Sequence, residues 1–387
     1  MRRLLKLAVF LLVVLVIAIL FVANPALDVP AGALSQKYYL PGPHKIATHP
    51  IDWTDSSRPT MANRDFKGRD SRELKGRIWL PADKNGAPYP LVVYSHGYMS
   101  QHNEGEYILD FLASHGYVAV SVDFPLSTGS APGGAIILDV VNQPGDISFL
   151  IDQILARSQQ ADNALHGMVD GERIAALGLS LGGLTTELVA FHPTLKDPRI
   201  RAAISMAGPS EFFMPQFFEN NSIPFMYIGG TADAIVPYRE HAQPITQKDK
   251  SSILITLHAG SHVGFIDMAP VFFRWLNNPD EFGCKALMYG LKNAQQVPKT
   301  GNPPPTLSEL LGGSARGVDS HSTAPCQASE FTRSMPPARQ HSLVVLAIYS
   351  FLESQFSPSQ TTRIEMHEYL IDQMAKENQD VAVSVGS

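Results

Sequence analysis

Along the chain, short runs of purely apolar residues alternate with segments whose apolar residues recur every three to four positions. The runs at 76–80, 90–95, 117–122, 173–178, 200–206, 224–228 and 253–257 read as strands. Between them, 107–115, 146–156 and 184–191 carry helical spacing, with Ile147, Leu150, Ile151 and Ile154 on one face of the second. A last core helix is expected at about 341–356. Strands that are apolar throughout and alternate with helices predict an α/β fold, a mostly parallel central sheet with helices on both faces. Residues 24–70 are rich in proline and predict little strand. No repeat of 20 to 50 residues is visible, which argues against a solenoid. In a parallel sheet, ligands sit beyond the carboxyl ends of the strands, so the chemistry is sought there.

The first residues follow another logic. Arg2, Arg3 and Lys6 precede an unbroken apolar run from Leu7 to Ala23, the pattern of a segment handled by the export machinery. At 17 residues the run lies between a signal-peptide core and a bilayer span of about 20. Residues 1–26 are therefore expected to be a signal peptide or an uncleaved anchor, with residues 4–23 in the inner membrane in the second case. Either way the bulk of the chain is exported to the periplasm or beyond. Residues 27–70 would be an extended segment, 71–357 the main domain and 358–387 a terminal helix and tail.

Composition narrows the field. The 387 residues carry a net charge of −6, and no Lys/Arg-rich stripe offers itself to phosphates, so nucleic acid is not an expected partner. Two cysteines exclude a disulfide-dense scaffold and a four-thiolate zinc site.

Candidate chemistry lies after the strands. Gly178-Leu179-Ser180-Leu181-Gly182 follows one strand directly and opens a helix. That context, more than the motif itself, marks Ser180 as a nucleophile on a sharp turn. The alternative is a tight turn with an N-capping serine. A serine hydroxyl needs a base, expected on a later loop. His262 lies past Gly260, whereas His258 is still at its strand end and is read as structural. His241 and His341 lack a strand-end context. Asp233, in the Gly-rich turn after 224–228, is the expected acid; Asp123 is second choice, and Asp267 is too close in sequence to His262. An oxyanion needs two backbone N–H donors. Leu181, after the nucleophile, supplies one, and Tyr98 the other, ahead of Met99, with the Tyr98 ring as a wall of the acyl site. His96 is read as a structural member of that loop.

Together these residues resemble the α/β-hydrolase superfamily, and within it the exported esterases grouped with dienelactone hydrolases, platelet-activating-factor acetylhydrolases and cutinase-like polyester hydrolases. The resemblance rests on Val93-Tyr94-Ser95-His96-Gly97, Ser114-His115-Gly116-Tyr117-Val118-Ala119-Val120, Asp146-Ile147-Ser148-Phe149-Leu150-Ile151-Asp152 and Gly178-Leu179-Ser180-Leu181-Gly182-Gly183. It spans about 74–267 plus the helix near 341–356, and the order Ser180, Asp233, His262 matches the family's. Ser180 stands where dienelactone hydrolases have cysteine and haloalkane dehalogenases aspartate, which disfavours both reactions.

The resemblance implies a serine hydrolase of carboxylic esters acting through an acyl-enzyme on a small-molecule or lipid ester, with no metal and no organic cofactor. A thioesterase, amidase or acyltransferase on envelope lipids would use the same triad; a binding module without catalysis has no need of it. The core fold does not require residues 268–340. That insertion holds both Cys284 and Cys326, which form a disulfide or remain two thiols. Its apolar first half, with Phe272, Phe273, Trp275, Phe282 and Met288, suits a lid or pocket wall as well as ordinary packing.

Overall fold

The computed structural model describes residues 6–7, 9–16, 28–219, 223–294, 305–327 and 330–386. The strands are β1 (Ile46–Asp55), β2 (Arg72–Pro81), β3 (Tyr89–Ser95), β4 (Val118–Asp123), β5 (Val169–Leu179), β6 (Ile200–Met206), β7 (Phe225–Gly230), β8 (Ser252–Leu257) and β9 (Val381–Val385). Among the described residues they form one nine-stranded sheet in the order β1-β2-β4-β3-β5-β6-β7-β8-β9. β3 to β8 run parallel to their neighbours within this set, while β1, β2 and β9 add antiparallel edges.

Side-chain alternation divides the core into two layers. Val92 and Tyr94 of β3, with Ala175, Leu177 and Leu179 of β5, face α1 (Glu106–Ser114) and α2 (Pro337–Phe356). Leu91 and Val93 face the other way, onto α3 (Gln143–Ser158). α4 (Leu181–Phe191) covers the same side further along. Each Val or Leu side chain so withdrawn from water contributes roughly 1.5–3 kcal/mol. Asp146 does not serve the chemistry: it is buried and accepts from the Arg72 guanidinium at 2.6 and 2.7 Å.

Two expectations are corrected here. The stretch 24–70 is not strand-poor, because β1 pairs with the whole of β2. Pro50 sits inside β1, which an edge strand permits because one row of its N–H groups meets no partner. The C-terminal segment is not one helix and a tail. Its helix spans Gln360–Glu368, continues through a wider turn and a last short helix, and the chain then returns as β9.

Residues 8 and 17–23 of the apolar run lie outside the described residues; Leu7 and residues 9–16 are helical and exposed. Among the described residues no helix is long and apolar enough to cross a membrane.

The topology fixes where a ligand can bind. From β3 the chain moves to β4 on one side, then crosses over to β5 on the other. The carboxyl ends of β3 and β5 thus open on a crevice, the expected place for a site in a sheet of this kind. The loop after β3 and the turn after β5 carry Gly97 and Ser180.

Candidate active site

Ser180 occupies the turn between β5 and α4 with φ 57° and ψ −119°. A non-glycine residue there costs on the order of 1–3 kcal/mol and is held by its surroundings. Its N–H donates to Met206 O at 2.8 Å, and its carbonyl accepts the first helical bond from Leu184 at 3.1 Å. The turn closes only because its flanks are glycine: a Cβ on Gly182 would stand 1.9 Å from Ser95 O, and one on Gly178 2.1 Å from Gly182 O. Gly97 packs directly on the nucleophile, its hypothetical Cβ 3.4 Å from that of Ser180.

The loops after β7 and β8 bring the other two residues together. His262 Nδ1 donates to Asp233 Oδ2 at 2.8 Å, and both side chains are buried. Asp233 Oδ1 accepts from the N–H groups of Ile235 (2.9 Å) and Val236 (2.7 Å), so the carboxylate is fixed from both sides. Burial by itself would depress the imidazole pKa. The charge of Asp233 and its hydrogen bond, then the charges of Asp280 and Glu104, outweigh that and hold it above its ordinary 6.5. Ser180 and His262 line one cavity without a direct hydrogen bond between them, as is common before substrate draws such pairs together.

The other histidines and acids are engaged elsewhere. His96 Nδ1 lies 2.7 Å from Gly97 O, and its Nε2 accepts from the Phe124 N–H at 3.0 Å; burial lowers it to about 4. His241 Nδ1 accepts from two backbone N–H groups, of Ser210 and Glu211, and is likewise lowered to about 4 by burial. His341 is buried, stacked on Tyr107, and lowered to about 3. Exposed His258 stays at the strand end. Asp123 pairs with His102 at 3.0 Å, and Asp267 accepts from the Tyr107 N–H at 3.1 Å.

In the loop after β3, the Met99 N–H is spent on Ser127 O at 2.8 Å. Among the described residues nothing accepts from the N–H of Tyr98 or of Leu181. The Tyr98 ring lines the cavity, anchored by its hydroxyl on Ala135 O at 2.8 Å.

Two buried carboxylates escaped the sequence analysis. Glu104 accepts from the Gly97 N–H at 2.8 Å and the Tyr94 hydroxyl at 3.0 Å, and burial raises its pKa. The second, Asp280, begins α5 (Asp280–Ala294). A Glu104 signal was present in the polar loop after β3, but nothing in its spacing distinguishes it from a solvated residue.

The cavity has a volume of about 470 Å³ and a largely apolar lining. Ile137, Leu184 and Phe212 come from the core, and Phe282, Leu287 and Leu291 from α5. The insertion is thus part of the wall, although Phe272, Trp275 and Met288 remain exposed, and Phe282 is exposed over much of its ring as well. α5 also packs over the loop after β3: a Cβ on Gly290 would stand 2.6 Å from Met99 Sδ. Cys284 of α5 is bonded to Cys326, whose N–H donates to Ala234 O at 2.9 Å. Among the described residues no group of His, Cys, Asp and Glu could hold a metal.

Residues 68–275, which carry every one of these strand-end loops, match the family described as PET hydrolase-like (PETase). The chain belongs to that family. It is 24% identical over 230 residues to a cutinase of Thermobifida fusca, covering 58% of this chain and 69% of the relative. It is also 24% identical over 222 residues to a bis(hydroxyethyl) terephthalate hydrolase of Streptomyces coelicolor (57% and 60%). A putative carboxymethylenebutenolidase of Yersinia pestis is 24% identical over 219 residues (53% and 74%). The resemblance to cutinase-like and dienelactone-hydrolase-like enzymes is thereby borne out, and with it the assignment as a carboxylic ester hydrolase. The match ends at 275, before α5.

Proposed function

We propose that this ester hydrolase works through a Ser180–His262–Asp233 triad and an acyl-enzyme. The observation that carries the reading is the 2.8 Å bond from His262 Nδ1 to Asp233, beside a serine on a strained strand-to-helix turn in the same cavity. With Nδ1–H committed to Asp233, the Nε2 lone pair is the basic position. Ser180 Oγ attacks the ester carbonyl as His262 Nε2 takes its proton. The tetrahedral oxyanion accepts from the N–H groups of Tyr98 and Leu181. His262 returns the proton to the departing alcohol, leaving an acyl-serine, and water activated by the same imidazole releases the acid.

The apolar cavity suits the acyl part of an apolar ester, a small molecule or a lipid. Its volume lies in the range of ordinary ligand pockets, about 300–1,000 Å³. The positive head and apolar run at the N-terminus support export of the chain, by a cleaved signal or a retained anchor.

The test is hydrolysis of nitrophenyl esters from acetyl to palmitoyl by wild type and Ser180→Ala, with stoichiometric labelling by a fluorophosphonate. The reading requires labelling and turnover to vanish together in the variant, with a rate loss of several orders of magnitude. Turnover that survives in Ser180→Ala sinks it. Competing alcohols or amines in the same assay divert product if the enzyme transfers the acyl group to acceptors other than water.

A further inference from the structure

We propose that Asp280, at the start of the inserted helix α5, is a positioning residue for the triad: its carboxylate ties the loop that carries Asp233 to the loop that carries His262. The proposal rests on the triad reading. Asp280 Oδ2 accepts from the N–H of Ala234, next to the acid, at 2.9 Å, and from the N–H of His262 itself at 3.0 Å. Oδ1 accepts from the N–H of Val263 at 2.7 Å. The residue has no solvent exposure. Its own placement is fixed by Asn278, whose Oδ1 accepts the Asp280 N–H at 2.9 Å and whose Nδ2 donates to Ala232 O at 3.2 Å and Thr332 O at 2.9 Å.

The chemistry of this position selects an ionised carboxylate. Three N–H donors converge on two oxygens, and only a carboxylate is acceptor on both. Asparagine would satisfy one side and turn its own N–H₂ toward donors on the other. The bases of the two loops are joined by the Ala232 N–H to Gly260 O at 2.9 Å and the Ala259 N–H to Thr231 Oγ1 at 2.8 Å, and further out they meet through the His262–Asp233 bond, in segments that are otherwise mobile. A carboxylate bonded to both backbones holds them in register without touching the imidazole. It is supplied by a helix beyond residues 68–275, the span matched to the family, so the brace comes from the insertion.

Asp280 also acts on the imidazole through its charge. The groups facing His262 are Asp233 from the loop after β7, Glu104 from the loop after β3, Asp280 from α5 and His241 from the short helix Tyr238–His241. Burial raises the Asp280 pKa to about 6, so it is an anion at neutral pH and favours the imidazolium. Its removal therefore lowers the His262 pKa, a shift that looser loops alone do not produce.

The experiment follows kcat and KM for a nitrophenyl ester from pH 5 to 9 in the full chain. It compares wild type, Asp280→Asn, Asp280→Glu, Ser180→Ala and, as an exposed neighbour, Glu281→Gln. Asp280→Asn is expected to lose kcat on the order of 100-fold, the effect of an ångström-scale misplacement. KM should stay within about twofold, and the acid limb of kcat/KM should move to lower pH. Asp280→Glu keeps the charge but displaces both oxygens, so kcat falls and the limb stays; it carries the test if Asp280→Asn fails to fold. Glu281→Gln should match wild type. A wild-type kcat in either Asp280 variant overturns the proposal, as does a loss of kcat in Asp280→Asn with an unmoved limb. An inactive Ser180→Ala beside a normal Asp280→Asn removes this inference alone, whereas an active Ser180→Ala removes the triad reading beneath it.

Discussion

Two walls enclose the cavity, and they are built on different principles. One comes from the sheet: Ser180, Gly97, Tyr98, Asp233 and His262 stand on loops at the carboxyl ends of β3, β5, β7 and β8. Backbone hydrogen bonds and glycine contacts too close for any side chain hold them in place. The other comes from α5, which presents Phe282, Leu287 and Leu291 and is secured by one disulfide and one carboxylate. The sheet wall has little freedom to vary, since the adjoining chain leaves no room for a Cβ at Gly178 or Gly182. The helix wall is set by side-chain volume, which can change without disturbing the sheet. On the proposed triad, chemistry rests on the sheet wall and selectivity on the helix wall, and Asp280 joins the two.

The severest way to break the comparison lies in the sheet wall. Asp233→Asn retains the shape but reverses the hydrogen-bond sense on Nδ1 and favours the wrong tautomer. Loss of the corresponding carboxylate in a serine protease triad costs about 10⁴ in kcat. A fall of about 10³–10⁴ with nearly unchanged KM is expected here in steady-state ester hydrolysis. A fall of less than tenfold would mean that Asp233 is not the orienting acid. The same assay fixes the pH profile. His262 must be neutral to accept a proton, and its pKa is raised, so kcat/KM should decline on the acid side through a limb above 6.5.

A gentler change to the helix wall tests whether volume there sets selectivity. Leu287→Trp fills the apolar end of the cavity. Long acyl esters should lose 10- to 200-fold in kcat/KM relative to acetyl, the range that one or a few methylenes command in an apolar pocket. Equal losses for both esters would show that α5 does not choose between substrates.

The same division explains what could be read from the sequence. β6 appears at its full observed length because an unbroken apolar run gives a fully buried strand. Ser180, Asp233 and His262 were legible because each follows such a strand, and topology alone brings strand ends together. β1 was hidden by Pro50 and by the exposure of an edge strand, which leaves a mixed pattern of residues. β9 was hidden because five residues after a helix carry no sign of which edge they will join. Asp280 illustrates the limit. Asn278-Pro279-Asp280 has the marks of a helix start, but the carboxylate turns back onto two loops distant in the chain, and that contact has no local signature. Both readings of the insertion's apolar half held in part, since a helix that lines a cavity with one face exposes the other.

The disulfide offers a smaller effect of another kind. It closes a loop of sequence separation 42, so the double variant Cys284→Ala, Cys326→Ala should lose about 2–4 kcal/mol in chemical denaturation. The loss should fall mainly on the insertion: limited proteolysis should cut within 276–336 before the sheet unfolds. Simultaneous loss of both parts would show one cooperative unit and would weaken the separation of the two walls.

The smallest expected effect compares two buried carboxylates, one under each wall. Asp280 has three backbone N–H partners. Glu187, on α4 beneath the nucleophile, accepts from the Ser210 hydroxyl at 2.6 Å, while its Oε2 has no partner among the described residues. Burial accordingly raises Glu187 from 4.5 to about 7. The sign of the linkage follows. The unfolded chain releases this proton from about pH 4.5, but the folded chain keeps it until about pH 7. Folding therefore takes up a proton between these values, and stability falls as pH rises from 4.5 to 7, then levels off. Glu187→Gln cannot ionise and should escape that fall. Its melting temperature should match wild type near pH 4.5 and exceed it at pH 8, with a difference of at most about 3 kcal/mol. A variant less stable than wild type at pH 8 would mean that the ionised carboxylate is well solvated beneath α4. The sheet wall would then rest on a charged residue, as the helix wall does.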